Sequence, residues 1–178
     1  LCNSYNAIIC HESSHLSTDE CSAPEFYTGG SKVIGLGGPN AKLKVETVAD
    51  ATAGHREVHF PKVSALSLTQ ATEAGTVYTA NEVAALCEAA RRNNLKVHMD
   101  GARFANAIAT LDCHPREITW EAGVDVLCFG GTKNGLAVGD AVVFFNLEAA
   151  ADFAYRRKQA GQLASKMRMI SAPWIGLL

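Results

Sequence analysis

Short apolar runs separated by turn residues recur along the chain: Asn6 to Cys10, Lys32 to Leu36, Ser64 to Thr69, Leu95 to Met99, Val124 to Phe129 and Ala141 to Phe145. Leu95 to Met99 and Val124 to Phe129 are too short for a buried helix and rich in β-branched or large apolar residues, and Ser64 to Thr69 alternates small polar with apolar residues. The six runs predict the strands of a covered sheet. Helical patterns lie between them. Leu43 to Ala53 has a helical composition, and a break at Gly54 and His55 leads on to Pro61. Thr79-Ala-Asn-Glu82 is a capping box. Val83, Leu86, Cys87 and Ala90 follow at i, i+3, i+4 and i+7, with Arg91 and Arg92 favourable at the carboxyl end of that helix and Asn93-Asn94 ending it. A helix that feeds straight into the strand before Asp100 is the passage of a doubly wound layer. Arg103 to Ala109 is short and Ala-rich, and Leu147 to Gln162 predicts a further helix, bearing Arg156, Arg157 and Lys158. The pattern predicts a three-layer α/β/α domain with a mostly parallel sheet and no internal repeat.

Such a fold has a preferred place for chemistry. In open α/β sheets ligands bind outside the carboxyl ends of the strands, and Asp100 and Lys133 fall just past two predicted strand ends. One acid and one amine do not define a reaction. Two other segments invite a functional reading. His11-Glu-Ser-Ser-His15 has the H-E-x-x-H pattern, which on a helix sets two imidazoles on one face for zinc. Against zinc, two serines are mediocre helix formers, a strand-like run leads directly into His11, and Thr18 and Cys21 do not continue the longer metalloprotease pattern. Gly37-Gly-Pro-Asn40 reads as a turn, because neither a dinucleotide nor a P-loop spacing is present.

Composition narrows the partners. The 178 residues carry a formal net charge of −2 and 48% hydrophobic residues. That is enough for one core. Without a Lys/Arg-rich block the chain predicts no nucleic-acid surface, and no apolar stretch approaches the roughly 20 residues of a membrane span. Six cysteines without a signal peptide, three of them (Cys10, Cys87, Cys128) inside apolar runs, read as free thiols in a reducing, cytoplasmic compartment. The chain opens on an ordinary LCNSYNAIIC run and stops at Trp174-Ile-Gly-Leu-Leu178, so it reads as a fragment.

Asp100-Gly-Ala-Arg103, the following Asn106, and Gly130-Gly-Thr-Lys133-Asn-Gly together resemble the pyridoxal-phosphate half-site of the L-threonine aldolase (β-eliminating lyase) family. The wording FGGTKNG is similar to its bacterial low-specificity branch, and the similarity runs from HESSH to KMRMISA. The resemblance implies the large domain of the aspartate-aminotransferase-like, fold-type I architecture, here residues 1–178. It places a phosphate-binding Gly-Thr segment, a second carboxylate-binding arginine and a small carboxyl-terminal domain outside them. It implies pyridoxal phosphate attached to Lys133, Asp100 beside the ring nitrogen, His15 stacked on the ring with Glu20 near it, and Arg103 on the amino-acid carboxylate. Under this reading no metal is needed. His15 taken alone also fits a surface histidine in a polar loop, and Asp-Gly-Ala-Arg taken alone fits a turn with a surface ion pair.

The implied reaction is retro-aldol cleavage of threonine or a related β-hydroxy-α-amino acid to glycine and an aldehyde, with His15 as base for the β-hydroxyl. A β-eliminating lyase or an aminotransferase is the alternative within the same cofactor class; outside it stand a zinc hydrolase and an inactive fragment. One departure is visible. Where much of the family has Asn-Thr-His, this chain has Gln70-Ala71-Thr72, which removes a second candidate base. The stretch RRKQAGQLASKMR, containing Lys158 and Arg168, resembles the segment that reaches a neighbouring subunit's cofactor phosphate, which implies a homodimer or tetramer. A solvated helix face is the alternative for that stretch.

Overall fold

The computed structural model describes residues 1–53 and 57–178; the expected break at Gly54 and His55 lies outside them. Strands β1 (Asn6–His11), β2 (Lys32–Leu36), β3 (Lys62–Thr69), β4 (Lys96–Gly101), β5 (Val126–Gly130) and β6 (Asp140–Phe144) form one sheet in the order β2-β1-β3-β4-β5-β6. Neighbours pair in parallel except β5 with β6, which is antiparallel. The helices are α1 (His15–Thr18), α2 (Ala23–Thr28), α3 (Val45–Ala53), α4 (Ala80–Arg92), α5 (Phe104–Leu111), α6 (Leu147–Ala150), α7 (Phe153–Gln159) and α8 (Arg168–Leu177). The expected α/β class and mostly parallel sheet are what the chain forms. Among the described residues no helix is long and apolar enough to cross a membrane.

Alternation along the strands decides which face is core. Ile9, Leu66, Leu68, Val97, Met99 and Leu127 point to one face and close on Val83, Leu86, Cys87 and Ala90 of α4 and on Phe104 of α5. The opposite face carries the smaller cluster Cys2, Ile8 and Ala65, with Leu16 of α1 against it. The parity of β3 flips once. A register shift opposite Ala7/Ile8 pairs Val63 with Ala7 and Ala65 with Ile8, so Val63 joins Leu66 and Leu68 in the main core while Ala65 faces the other way. The capping box forms as expected: Thr79 Oγ1 accepts from the Glu82 amide at 3.3 Å, and the Thr79 amide donates to Glu82 Oε2 at 2.7 Å.

The carboxyl-terminal third differs from expectation. Leu147 to Gln162 is two short helices, α6 and α7, broken at Ala151-Asp152. Asn146 caps the first through the Glu148 amide, and where the second begins Phe153 packs on Phe144 of β6, ring centroids 5.0 Å apart. Local capping and a tertiary ring contact thus take up what Ala-rich composition alone would continue as one helix.

The β3–α4 connection holds a buried polar pair. Gln70 is fully buried; its amide nitrogen donates to the Tyr78 carbonyl at 2.7 Å and its carbonyl oxygen accepts from the Tyr78 amide at 2.9 Å. Tyr78 is itself buried, its hydroxyl accepts from the Leu43 amide at 2.8 Å, and burial pushes its phenol up to about 12. Replacing Gln70 by Leu keeps the volume and strands both backbone groups of Tyr78. Each buried group left without a partner costs about 1–3 kcal/mol, so stranding two should make Gln70→Leu lower the unfolding free energy of the full-length protein by roughly 2–6 kcal/mol in urea titration.

Candidate active site

Four of the five sequence-selected residues arrive at one edge of the sheet. Three parallel strands deliver them: β1 leads to His15 at the start of α1, β4 ends at Asp100 and turns into Arg103, and β5 ends in the turn that bears Lys133. Asp100 pairs in register with Thr69 on one side and Cys128 on the other, so it lies between two neighbouring strands at the carboxyl end. The fifth, Arg168, is exposed at the first turn of α8, and among the described residues no hydrogen bond or ion pair joins it to the other four.

Asp100 is half-buried, and its Oδ1 accepts from the Ala102 amide at 3.0 Å, which holds the carboxylate against its own turn. Among the described residues Oδ2 takes no protein donor and Asp100 has no ion-pair partner. The loop from β3 braces it from behind, since the Gln70 amide donates to the Asp100 carbonyl at 2.9 Å. Arg103 is half-buried at the N-cap of α5, and neither its guanidinium nor the exposed Lys133 amine meets a carboxylate among the described residues. The edge therefore presents a free carboxylate oxygen, a two-pronged cation and a primary amine.

His15 is held by acids. Its Nδ1 lies 3.0 Å from Glu20 Oε1, and its backbone amide donates to Glu73 Oε1 at 2.7 Å. Asp19 approaches Nε2 at 3.5 Å through an exposed carboxylate. The Glu20 hydrogen bond raises the imidazole above its ordinary value; modest burial opposes this, and Glu20, Asp19 and Asp100 add smaller attractive contributions. Asp100 is thus within electrostatic reach of His15. The Glu20 contact places the proton on Nδ1 when the ring is neutral, leaving Nε2 as the basic nitrogen.

The H-E-x-x-H reading does not survive the backbone. His11 ends a strand, and its ring nitrogens are taken by Ser13 Oγ at 2.7 Å and the Gly38 carbonyl at 3.0 Å, while His15 belongs to a separate short helix. The two imidazoles are therefore not on one helical face. The Gln70-Ala71-Thr72 triplet is also accounted for. All three are buried, Gln70 on Tyr78 and Thr72 on Thr76 Oγ1 at 2.7 Å, so they serve the loop's own structure.

Two features escaped the sequence. His98, two residues before Asp100 and on the same face of β4, bridges three strands through Ser67 Oγ at 2.9 Å and Cys128 Sγ at 3.3 Å. Burial holds this imidazole below its ordinary value, and burial pushes the Cys128 thiol up to about 11, so neither is charged near neutrality. The other is Asn134, which ties the Lys133 turn to the Asp100 turn through backbone partners. An alternating strand pattern shows that His98 and Asp100 share a face but not what they meet across the sheet.

The mostly parallel α/β fold is that of fold type I, and the chain belongs to the β-eliminating lyase family, whose model matches residues 1–178. Among individual relatives, it is 53% identical over 178 residues to the low specificity L-threonine aldolase of Pseudomonas sp. (strain NCIMB 10558), covering all of this chain and 51% of that protein. The Escherichia coli (strain K12) low specificity L-threonine aldolase is 30% identical over 128 residues, 65% of this chain and 37% of that one. The solved Leishmania major threonine aldolase superposes with a TM-score of 0.83 at 28% identity over 90% of this chain and 46% of its own. The chain spans about half the length of the Pseudomonas relative.

Removing the Glu20 charge tests the site's electrostatics. With a folded value raised above the unfolded one of about 6.5, the His15–Glu20 pair stabilises the fold at low pH and loses that effect as pH rises through the folded value. In Glu20→Gln the His15 midpoint, followed by NMR of the full-length protein, should fall toward the ordinary value. A midpoint that stays in place would assign the shift to Asp19 or Asp100.

Proposed function

We propose that this chain carries the pyridoxal-phosphate half-site of an aldehyde-lyase that cleaves L-threonine, L-allo-threonine and related β-hydroxy-α-amino acids to glycine and an aldehyde. The observation that carries the reading is the set of groups at the ends of β1, β4 and β5: a carboxylate with an oxygen free and a guanidinium unpaired among the described residues, an amine and an acid-held imidazole. The 53% identity to a low specificity L-threonine aldolase supports it. The donor set fits the cofactor, which when bound supplies an electron sink for the pair released at Cα.

Each residue then has a task within reach of its surroundings. Lys133 would hold the cofactor covalently, its amine being accessible and, among the described residues, not locked in an ion pair. Asp100 would keep a proton on the ring nitrogen, because an opposite charge within about 4–6 Å favours the charged form. Arg103 offers a planar fork to the amino-acid carboxylate, in two-point contact. His15 would stack on the ring and would take the β-hydroxyl proton, directly or through a water, at Nε2; the Glu20 contact makes that nitrogen more basic. Gln70-Ala71-Thr72 offers no histidine and the ring nitrogens of His11 are taken by Ser13 and Gly38, which favours His15 for this step.

The whole polypeptide is proposed to be longer, with the phosphate-binding Gly-Thr segment, the second carboxylate-binding arginine and a small domain outside residues 1–178, to assemble as a homodimer or tetramer, and to act in the cytoplasm. The coverage of 51% of the Pseudomonas relative supports the first, and six free thiols the last.

The full-length protein mixed with pyridoxal phosphate should show the visible band of lysine-bound cofactor and form glycine and acetaldehyde from L-threonine. Lys133→Ala should abolish the band. Asp100→Asn should keep the cofactor yet cut turnover by orders of magnitude, since the ring loses the partner that stabilises developing charge. A band that persists without Lys133, or near-wild-type kcat without Asp100, would overturn those roles. Release of ammonia and a keto acid in place of glycine would move the reaction to β-elimination, and transfer of the amino group would move it to transamination.

Arg168 is proposed to reach a neighbouring subunit's cofactor phosphate, supported by its exposure at the start of α8. Phosphate accepts two-point contacts from a guanidinium, so such an arginine couples cofactor binding to assembly. Arg168→Ala should weaken cofactor binding and uncouple it from the subunit equilibrium in sedimentation. Unchanged affinity, or a fully active monomer, would refute the role.

A further inference from the structure

We infer that Asn134 is a positioning residue, a clamp that sets the Lys133 turn against the Asp100 turn; the inference rests on the cofactor reading above. Its side-chain amide donates to the Ala102 carbonyl at 3.1 Å, to the Gly101 carbonyl at a longer 3.4 Å, and to the Gly130 carbonyl. Its side-chain oxygen accepts from the Ala105 amide at 2.9 Å, in the first turn of α5. One side chain thus spans the end of β5, the turn after β4 and the start of the helix that follows. Its neighbour in the chain is Lys133; the Ala102 whose carbonyl it holds also donates its amide to Asp100 Oδ1 at 3.0 Å.

The packing around it makes the clamp short. A Cβ at Gly130 would stand 3.2 Å from Ala102 Cα, and one at Gly101 would stand 2.7 Å from Leu127 Cδ1 and 2.9 Å from the Cys128 carbonyl. At Gly130 the two turns therefore approach backbone to backbone, with Asp140 Oδ1 likewise 3.2 Å from that Cβ position. Serine or threonine is too short to reach both turns at once. Aspartate matches the shape and keeps the acceptor for Ala105, but it cannot donate to the three carbonyls. The relative placement of the Lys133 and Asp100 turns accordingly depends on a donor at residue 134.

The test uses the full-length protein with Asn134→Ala and Asn134→Asp. Hydrogen exchange without cofactor reads the clamp itself: the Ala105 amide should exchange about tenfold faster or more in the Ala variant and stay protected in the Asp variant. Pyridoxal phosphate titration should show a dissociation constant raised about tenfold or more in both, and the pH midpoint of the visible band should move, because Lys133 and Asp100 no longer address one ring together. A purely architectural residue would change unfolding alone and leave that midpoint in place. Wild-type affinity and midpoint in both variants, or unchanged Ala105 exchange in Asn134→Ala, overturns the inference. If the Ala variant does not fold, the Asp variant decides; if neither folds, Asn134 is architectural and the inference fails. A wild-type protein that shows no visible band sinks the cofactor reading instead, while Ala105 exchange still reports on the clamp.

Discussion

Parallel pairing of β4 with β5, in the register Asp100 opposite Cys128 and Gly101 opposite Phe129, is the constraint on which the rest depends. Two turns that lie about thirty residues apart in the chain leave adjacent strands at the same edge. Because the strands are parallel, both turns emerge on the side where helix starts and strand ends converge. Everything added to the site is added to that pair: the β3 loop braces Asp100 through Gln70, and Asn134 fastens the two turns to each other. Glycine at 101 and 130 is what lets the backbones come that close.

The site's charges differ in their surroundings. Asp100, Arg103, His15 and Glu20 are half-buried, whereas Asp19 and Lys133 are exposed. A histidine whose value is lifted by a hydrogen-bonded carboxylate is a stronger base at a given geometry, and it is also charged over a wider pH range. His98 shows the opposite arrangement on the same face. Burial keeps it neutral, and its two nitrogens bind strands together. Two histidines in one chain thus serve different ends because one is solvated beside acids and the other is enclosed by a hydroxyl and a thiol.

Several elements were legible in advance because their causes are local. The capping box at Thr79, the amphipathic face of α4 and the short strands ending at turns each follow from a few neighbouring residues, and the structure forms them with boundaries shifted by a residue or two. The family motifs were legible as well, since Asp-Gly-Ala-Arg and Gly-Gly-Thr-Lys-Asn-Gly are contiguous. The single helix expected from Leu147 to Gln162 was not formed, because Phe153 meets Phe144, a partner on β6 that composition does not show.

By itself, then, the sequence determined the α/β alternation and the places of Asp100 and Lys133 just past strand ends, which depend on periodicity and local sterics acting over a few residues. Arg103 and His15 were singled out by the family resemblance of contiguous motifs. Only the tertiary structure decided the strand order, the antiparallel turn of β6, the inward burial of Gln70-Ala71-Thr72, the separation of His11 from His15, and the partners of His98 and Asn134. Each of these rests on contacts between segments far apart in the chain, whose geometry is set by sheet register and by which backbone carbonyls remain to be satisfied.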